Sequence, residues 1–314
     1  LDHIFERKIA SCLVNPRACR ETEIVLKAPP LRKSIAVVGA GPAGLACATT
    51  AAEVGHMVTL FEAEGDIGGQ FNLACRIPGK EEFRETLRYF RNRLDATGVE
   101  VQLNRRVTAA DLGEFDHVVI AAGVVPRMPD IGGIAHPKVA SYVDIVQGRR
   151  TAGKRVAIIG AGGIGFDVAE LLTHQGGEDD IDAYRAEWGI DPNYEHRGGI
   201  TAPVEATPVR EVWLLQRKSS KVGEGLAKTT GWIRRTLLKK RGVNMISGVA
   251  YDGIDDAGLH LRIDGKPQVL DVDTIVVCAG QESCRELVPG LESEGIPLTI
   301  IGGANVAGEL DAKR

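Results

Sequence analysis

Two glycine-rich turns carry the residue spacing in this sequence that could do chemistry. In the first, Gly39, Gly41 and Gly44 stand at G-x-G-x-x-G spacing directly after the apolar run 35–38. The first glycine permits a tight turn, the second lets the backbone approach a pyrophosphate, and the third lets helix and strand pack closely. The N-terminus of the following helix favours an anion through its unpaired N–H groups and its dipole. The turn therefore predicts a dinucleotide site.

An acidic residue completes this first unit. Glu62 ends the next apolar run, about 20 residues after the turn, where a carboxylate would hydrogen-bond a ribose hydroxyl. The glycine-rich loop 65–70 follows, and its amides could face the bound nucleotide. The alternative is a glycine-rich turn in an ordinary α/β protein. The complete strand, helix, strand and acid favour the dinucleotide site.

The same pattern occurs a second time. Gly160, Gly162 and Gly165 follow another apolar run, and a helix is predicted over 166–174. The next strand, 212–215, is delayed by a polar insertion, 176–208, which we expect to be a long surface loop. Two such units predict two dinucleotides.

The residues after the second strand differ in charge between the two units. Gln216, Arg217 and Lys218 occupy the position that Glu62 holds in the first unit. An acid pairs with a free ribose hydroxyl and repels a 2′-phosphate, whereas the arginine fork and the lysine charge attract it. This replacement predicts NADP(H) rather than NAD(H). The alternative is that both basic residues are solvated surface charges.

Composition excludes several other classes of protein. The 314 residues carry a net charge of -4, so no basic field for nucleic acid is expected. No apolar run approaches the roughly 18 residues of a membrane span, and the six cysteines are scattered, which favours the cytoplasm. The seven histidines lack metal-site spacing and are expected to be structural or exposed, and no C-x-x-C lies near either turn, so a disulfide reductase is not expected.

The predicted fold class is α/β, with two Rossmann-like domains of the glutathione reductase type, the second inserted in the first. We expect an arm and linker at 1–32, an FAD-binding domain at 33–150 plus 281–314, and an NADP(H)-binding domain at 151–280. Hydride transfer between two rings needs positioning more than an acid or base, so no catalytic triad is expected. Helices are predicted at 81–94, at 226–241 with an interruption at Gly231, and from 306 to a truncated end at 314, which suggests a fragment.

Five runs of sequence resemble the C-terminal half of the bacterial NADPH-dependent 2,4-dienoyl-CoA reductase family. They are LDHIFERKIASCLVNPRACRE, GGQFNLACRIPGKEEFRETLRYFR, GAGGIGFDVAELL, LLQRKSSKVGEGLAKTTGWIRR and GGANVAGELDAKR. The similarity covers essentially the whole chain. It implies an N-terminal barrel with FMN, a [4Fe-4S] segment, an FAD domain and an NADPH domain.

The resemblance also implies roles for individual residues. Cys12 would be the fourth ligand of the cluster, whose other cysteines would precede Leu1. NADPH would reduce FAD, and electrons would pass singly through the cluster to FMN in the barrel, where 2,4-dienoyl-CoA is reduced in fatty-acid β-oxidation. The expected dinucleotide-binding residues are Gly39, Gly41, Pro42, Ala43, Gly44, Glu62, Gly69, Gln70, Ala122, Gly123, Gly160, Gly162, Gly163, Gly165, Arg217, Lys218, Gly280, Gly303 and Asn305.

Three departures from the family pattern bear on these expectations. Asn305 stands where the family usually has Asp near the ribityl chain, which predicts weaker FAD binding. Cys75 and the pair Ser283 and Cys284 replace residues away from the phosphate turns and are taken as neutral. Two alternatives stay open: the reductase module of another enoate or enone reductase or of a glutamate synthase small-subunit type, and a non-redox module that holds ADP.

Overall fold

The computed structural model describes residues 2–12, 14–15, 17–175, 180–204 and 207–308. The chain forms two compact units, one of Leu1–Cys75, Lys80–Pro126 and Gln281–Arg314, the other of Arg76–Gly79 and Arg127–Gly280. The second unit thus lies between segments of the first in sequence. The main crossings fall at 126/127 and 280/281, so the first precedes the expected limit at 150, and the domain limits given above stay a prediction.

The described strands and helices follow one another along both units. The strands are β1 (Ser34–Val38), β2 (Met57–Phe61), β3 (Glu100–Gln102), β4 (His117–Ile120), β5 (Val124–Pro126), β6 (Val139–Ser141), β7 (Arg155–Ile159), β8 (Glu211–Leu215), β9 (Asn244–Ile246), β10 (Ala250–Asp255), β11 (Gly258–Ile263), β12 (Lys266–Leu270), β13 (Thr274–Val277), β14 (Gln281–Ser283) and β15 (Leu298–Ile300). The α-helices are α1 (Asp2–Phe5), α2 (Pro42–Glu53), α3 (Phe71–Ala74), α4 (Phe83–Thr97), α5 (Tyr142–Val146), α6 (Gly163–Thr173), α7 (Ile181–Trp188), α8 (Gly231–Lys240) and α9 (Val288–Ser293).

The first unit is built on a parallel sheet in the order β15-β4-β1-β2-β3. Residues 35–38 of β1 are buried because helices and turns cover both faces of the sheet, and a strand covered on both sides needs a continuous apolar run. α4 packs on one face of the sheet through Phe90 and Leu94, and Leu87 on the same helix is also buried. α4 ends at Gly98, whose φ of 69° suits a left-handed cap.

The second unit repeats this plan in the order β6-β13-β7-β8-β9, again all parallel. A separate antiparallel sheet, β10-β11-β12, packs its apolar face into the same core, where Leu259 and Leu261 are fully buried. The α/β fold class predicted from sequence is confirmed. None of the described helices is long and apolar enough to cross a bilayer.

The insertion at 176–208 is not the loop that was expected, because part of it folds into α7. Asp180 caps this helix by accepting a hydrogen bond from the Ala183 N–H at 2.8 Å, and Gly189 closes it at a φ of 67°. A bridge then joins Ile190 and Ile200. Residues 176–179 and 205–206 lie outside the described part. The polar composition of this insertion led to the prediction of a loop, although the segment contains a short helix with caps at both ends.

Two further predictions of helices are wrong in part. α8 begins at Gly231 instead of residue 226, because the residues before it form turns, and a Cβ on Gly231 would lie 2.6 Å from Leu226 Cβ. At the chain end, β15 ends at Ile300 and a 3-10 turn follows at Gly302–Ala304. Residues 306–308 are not helical, and the rest of the helix predicted over 306–314 lies outside the described residues.

Two candidate dinucleotide sites

The turn between β1 and α2 has no room for a side chain at its first and third glycines. Gly39 has a φ of 105°, and a Cβ there would lie 2.4 Å from the Ala121 carbonyl oxygen. A Cβ on Gly44 would lie 1.8 Å from the Gly39 carbonyl oxygen. Contacts this short cannot be relieved by a side-chain rotation, since both neighbours are backbone atoms. These two glycines therefore fix the turn against the sheet.

The second glycine of the turn is open instead of crowded. A Cβ on Gly41 would meet nothing within 4 Å. Gly41 is the N-cap of α2 without a side-chain cap, and Pro42 at the first helical position gives up an N–H that has no helical partner anyway. Ala43 follows with a methyl group only. The backbone N–H groups at this helix end are thus available to an anion such as a pyrophosphate.

Glu62 is hydrogen-bonded to the turn itself. Its Oε2 accepts a bond from the Ala40 N–H at 2.8 Å, and its Oε1 accepts one from the Glu64 N–H at 3.0 Å. The carboxylate is therefore fixed beside the turn, on the neighbouring strand end, as the ribose contact predicted from sequence requires. Both oxygens keep further acceptor capacity for a hydroxyl donor.

The glycine loop after Glu62 closes against the same turn. The Gly68 N–H donates to the Ala40 carbonyl at 2.8 Å, and Gly68 has a φ of 122°. A Cβ on Gly69 would lie 3.1 Å from Gly41 Cα, so a larger residue would press on the open glycine. Gln70, half-buried, begins α3. The structure thus places Gly69 and Gln70 beside the turn.

Residues from the neighbouring strand ends border this turn. Ala121 lies against Gly39, and Gly123 follows at a φ of 73° with open space around it. A Cβ on Gly303 would lie 2.8 Å from Val124 Cγ1, so the space at this position favours glycine. The 3-10 turn that contains Gly303 contacts α2. Ala122 and Gly303 therefore lie at the carboxyl edge of the sheet with the glycine turn.

Arg285 is a contributor to this edge that sequence reasoning missed. Its Nε donates to the Ala304 carbonyl at 2.6 Å, and its guanidinium also donates to the Asn305 carbonyl. Ser283 supports the same segment by donating from Oγ to the Gly303 carbonyl at 2.7 Å. The side chain of Asn305 is exposed. No motif identifies an arginine that binds carbonyl groups 19 and 20 residues away, so no sequence signal could have found it.

The turn between β7 and α6 repeats the first turn closely. Gly160 has a φ of 112°, its N–H donates to the Leu215 carbonyl at 3.0 Å, and a Cβ there would lie 2.2 Å from the Cys278 carbonyl oxygen. A Cβ on Gly165 would lie 1.9 Å from the Gly160 carbonyl oxygen. Gly162 and Gly163 have open space, as Gly41 does. A second anion-accepting helix end is therefore present.

The segment after β8 presents positive charge at the place where the first unit presents a carboxylate. The Gln216 side-chain amide donates to the Ser220 carbonyl at 2.8 Å and to the Lys218 carbonyl at 3.1 Å, which folds the segment back on itself. Arg217 and Lys218 are exposed. Within the part of the chain that the structure describes, neither pairs with an acidic side chain. Both charges are available to a phosphate.

An acidic pair lies one to two turns into α6. Asp167 and Glu170 both face Arg234 of α8, which bonds Asp167 and lies 3.7 Å from Glu170. Burial, together with the Asp167 carboxylate, raises the pKa of the Cys278 thiol, which follows the carboxyl end of β13. Gly280, with a φ of 104°, follows there beside Arg127, whose Nε donates to the Ala279 carbonyl at 2.9 Å.

The cysteines do not form a metal centre among residues 2–12, 14–15, 17–175, 180–204 and 207–308. No group of three or more potential ligands occurs there. Cys12 is exposed, whereas Cys75 and Cys278 are buried. All six thiols are free. Among the described residues the exposed thiols are those of Cys12 and Cys19, and these do not by themselves fit a [4Fe-4S] cluster.

Comparison with known proteins decides the family. The model of the pyridine nucleotide-disulphide oxidoreductases matches residues 33–311, which include both glycine turns. This chain belongs to that family. Family membership and the two turns make it an oxidoreductase module for FAD and a nicotinamide dinucleotide. The disulphide of the family name has no counterpart in a C-x-x-C near either turn.

Curated relatives that match nearly the whole chain include two reductases and an oxidase, each more than twice as long as this chain. A metal reductase of Desulforamulus reducens is 32% identical over 311 residues, which are 97% of this chain and 46% of the relative. An NADH oxidase of Thermoanaerobacter brockii is 28% identical over 98% of this chain and 44% of its own length. A cinnamate reductase of Clostridium sporogenes is 29% identical over 94% and 40%. The chain spans less than half of each.

Solved structures agree on the fold. The complex of 2-naphthoyl-CoA reductase with 2-naphthoyl-CoA has a TM-score of 0.82 and 26% identity, over 99% of this chain and 43% of that chain. Histamine dehydrogenase from Rhizobium sp. 4-9 has a TM-score of 0.77 at 20% identity, over 99% and 48%, and supports the fold alone. The specific likeness to 2,4-dienoyl-CoA reductase stays a prediction.

Proposed function

We propose that this chain is the NADPH-oxidising half of a cytoplasmic 2,4-dienoyl-CoA reductase of fatty-acid β-oxidation. The observation that carries the proposal is the opposite charge at equivalent positions, a carboxylate bonded to the first turn and two exposed cations beyond the second strand. The chemistry that the bound cofactors would supply is hydride transfer from NADPH to FAD, and a [4Fe-4S] cluster and FMN in an N-terminal barrel of a longer protein would take the electrons onward one at a time.

The residues of the first unit fit FAD. Gly41 leaves the space that a pyrophosphate needs, and the end of α2 offers N–H donors to it. Glu62 is fixed where it can accept from a ribose hydroxyl, and Gly69 keeps the neighbouring loop clear of the turn. Asn305 would meet the ribityl chain as an uncharged acceptor.

The residues of the second unit fit NADPH in the same way. Gly162 and Gly163 leave space at the end of α6. Arg217 offers a planar donor fork and Lys218 a point charge to the 2′-phosphate, in a segment that Gln216 folds into shape. The intact second turn argues against a non-redox module that only holds ADP.

The cluster and FMN belong to the proposal for a longer protein. Cys12 would supply one ligand, and the remaining ligands and the barrel would come from outside the described residues. Reduction of a CoA thioester is supported by the likeness to the complex with 2-naphthoyl-CoA. The cinnamate reductase among the relatives favours another conjugated alkene as the alternative substrate.

The test is anaerobic reduction of the flavin in the purified chain. We expect yellow protein that NADPH bleaches much faster than NADH, because the 2′-phosphate meets Arg217 and Lys218. Arg217→Glu should raise the KM for NADPH roughly 30-fold and leave that for NADH within about threefold. Equal rates with both nucleotides would refute the NADPH preference, and a colourless protein containing ADP would refute the flavin.

A further inference from the structure

The two helices that follow the glycine turns differ in charge. α2 carries no charged side chain before its last residue, Glu53. α6 carries Asp167 and Glu170, which lie four and seven residues beyond its first residue, Gly163. Neither lies in the first turn, where a carboxylate favours the helix dipole, but a carboxylate one to two turns in still repels an anion that binds to that helix end. α6 therefore needs a countercharge if it is to accept a dinucleotide.

Arg234 of α8 supplies that countercharge. Its guanidinium bonds the Asp167 carboxylate and lies 3.7 Å from Glu170 Oε2. The three side chains are only 24%, 18% and 13% exposed for Arg234, Asp167 and Glu170, so water and salt screen them less than surface charges. The next residue, Arg235, has a different role, because it donates to the Gly223 carbonyl at 3.0 Å.

Asp167 lies about one turn beyond Gly163, near the end of α6 at which the dinucleotide would bind. Gly160 packs against the Cys278 carbonyl, and the charge of Asp167 reaches the thiol of the same cysteine. Asp167 is thus close to the turn on which a pyrophosphate would bind. Without a countercharge, the Asp167 carboxylate would repel the pyrophosphate, and its partial burial would limit screening by water.

We propose that Arg234 is a positioning residue that neutralises Asp167 and Glu170 so that α6 can accept the dinucleotide. The inference rests on the binding of NADPH at Gly160 to Gly165 given above. Arg234 acts through the two carboxylates and is not itself in contact with the dinucleotide. The role is electrostatic, so the charge matters more than the shape of the side chain.

The experiment is a calorimetric titration of the full chain, with its FAD, by NADP⁺, which binds without turnover. We expect Arg234→Gln to raise the Kd about tenfold at ~50 mM salt and about threefold at ~500 mM, since salt partly screens the repulsion between the two carboxylates and the dinucleotide. Arg234→Lys, which keeps the charge, should stay within about threefold of the parent. The triple variant Arg234→Gln, Asp167→Asn, Glu170→Gln should return to within about threefold.

Controls separate charge from folding. Arg235→Gln loosens the neighbouring loop and should change the Kd less than about threefold. FAD absorbance, which reports the first unit, should be unchanged in every variant. Unchanged binding in Arg234→Gln would overturn the proposal, and so would equal losses in the glutamine and lysine variants without rescue by the triple variant. A parent protein that binds neither NADP⁺ nor NAD⁺ would instead refute the proposed function.

Discussion

The two glycine turns share one backbone and differ in the side chains around them. In both, a Cβ on the third glycine would fall within 2 Å of the carbonyl oxygen of the first, at 1.8 and 1.9 Å. The first turn is hydrogen-bonded to the Glu62 carboxylate. In the second unit, the segment after β8 is folded by the Gln216 amide and carries the exposed cations Arg217 and Lys218. The backbone accordingly defines a dinucleotide site, and the side chains define which dinucleotide.

The largest effect should come from filling the crowded glycine. Gly44→Ala and Gly165→Ala each force a methyl group into a carbonyl oxygen, and overpacking against backbone should cost about 3 kcal/mol of unfolding free energy. Gly163→Ala is the matched control, since its Cβ would meet nothing within 4 Å. Urea unfolding measures the three variants. A similar free energy of unfolding in all three variants would show that the backbone of each turn shifts to accept the methyl group. The glycine backbone would then not define the turns.

A side chain at the second glycine of each turn, Gly41 or Gly162, should affect the binding of one cofactor and not the other. Gly41→Val should remove bound FAD while leaving the fold intact, because its side chain enters space that only a ligand occupies. Gly162→Val should leave FAD in place and weaken NADP⁺ binding by about 100-fold or more. Flavin absorbance and calorimetry measure these losses. Retention of FAD in Gly41→Val would contradict the assignment of the first turn to FAD. Loss of FAD only in Gly162→Val would show that the second turn binds FAD instead.

A smaller effect is expected at the carboxylate beside the first turn. Glu62→Gln keeps one acceptor for the Ala40 N–H and loses a charge-assisted bond, so FAD affinity should fall about tenfold. Reconstitution of the apoprotein with FAD gives the Kd. Glu64→Gln, at a neighbouring exposed acid, is the control and should stay within about twofold. Equal values for both variants would mean that Glu62 is structural only.

The sequence predicted the parts of the fold that depend on short-range spacing. The two glycine turns, the acid Glu62 and a helix near 81–94 follow from spacings of a few residues, and the structure has both turns, a Glu62 carboxylate bonded to the first turn, and α4. Arg234 and Arg285 could not be predicted, because each meets partners 19 or more residues away, at positions set by tertiary packing. α7 was missed for a related reason: a short helix is stabilised by its caps, and the prediction considered only composition.

The smallest effect concerns the edge of the first site, where Asn305 stands in place of the Asp typical of the resembling family. Its carbonyl accepts from Arg285, and its side chain is exposed. Asn305→Asp would add a charged acceptor for ribityl hydroxyls beside that guanidinium, so FAD affinity should rise about threefold at ~50 mM salt and less at ~500 mM. Reconstitution titrations at both salt concentrations measure it. An unchanged affinity would place residue 305 away from the flavin, and a weaker one would show that the added charge repels it; in either case the contrast between the turns would rest on Glu62 alone.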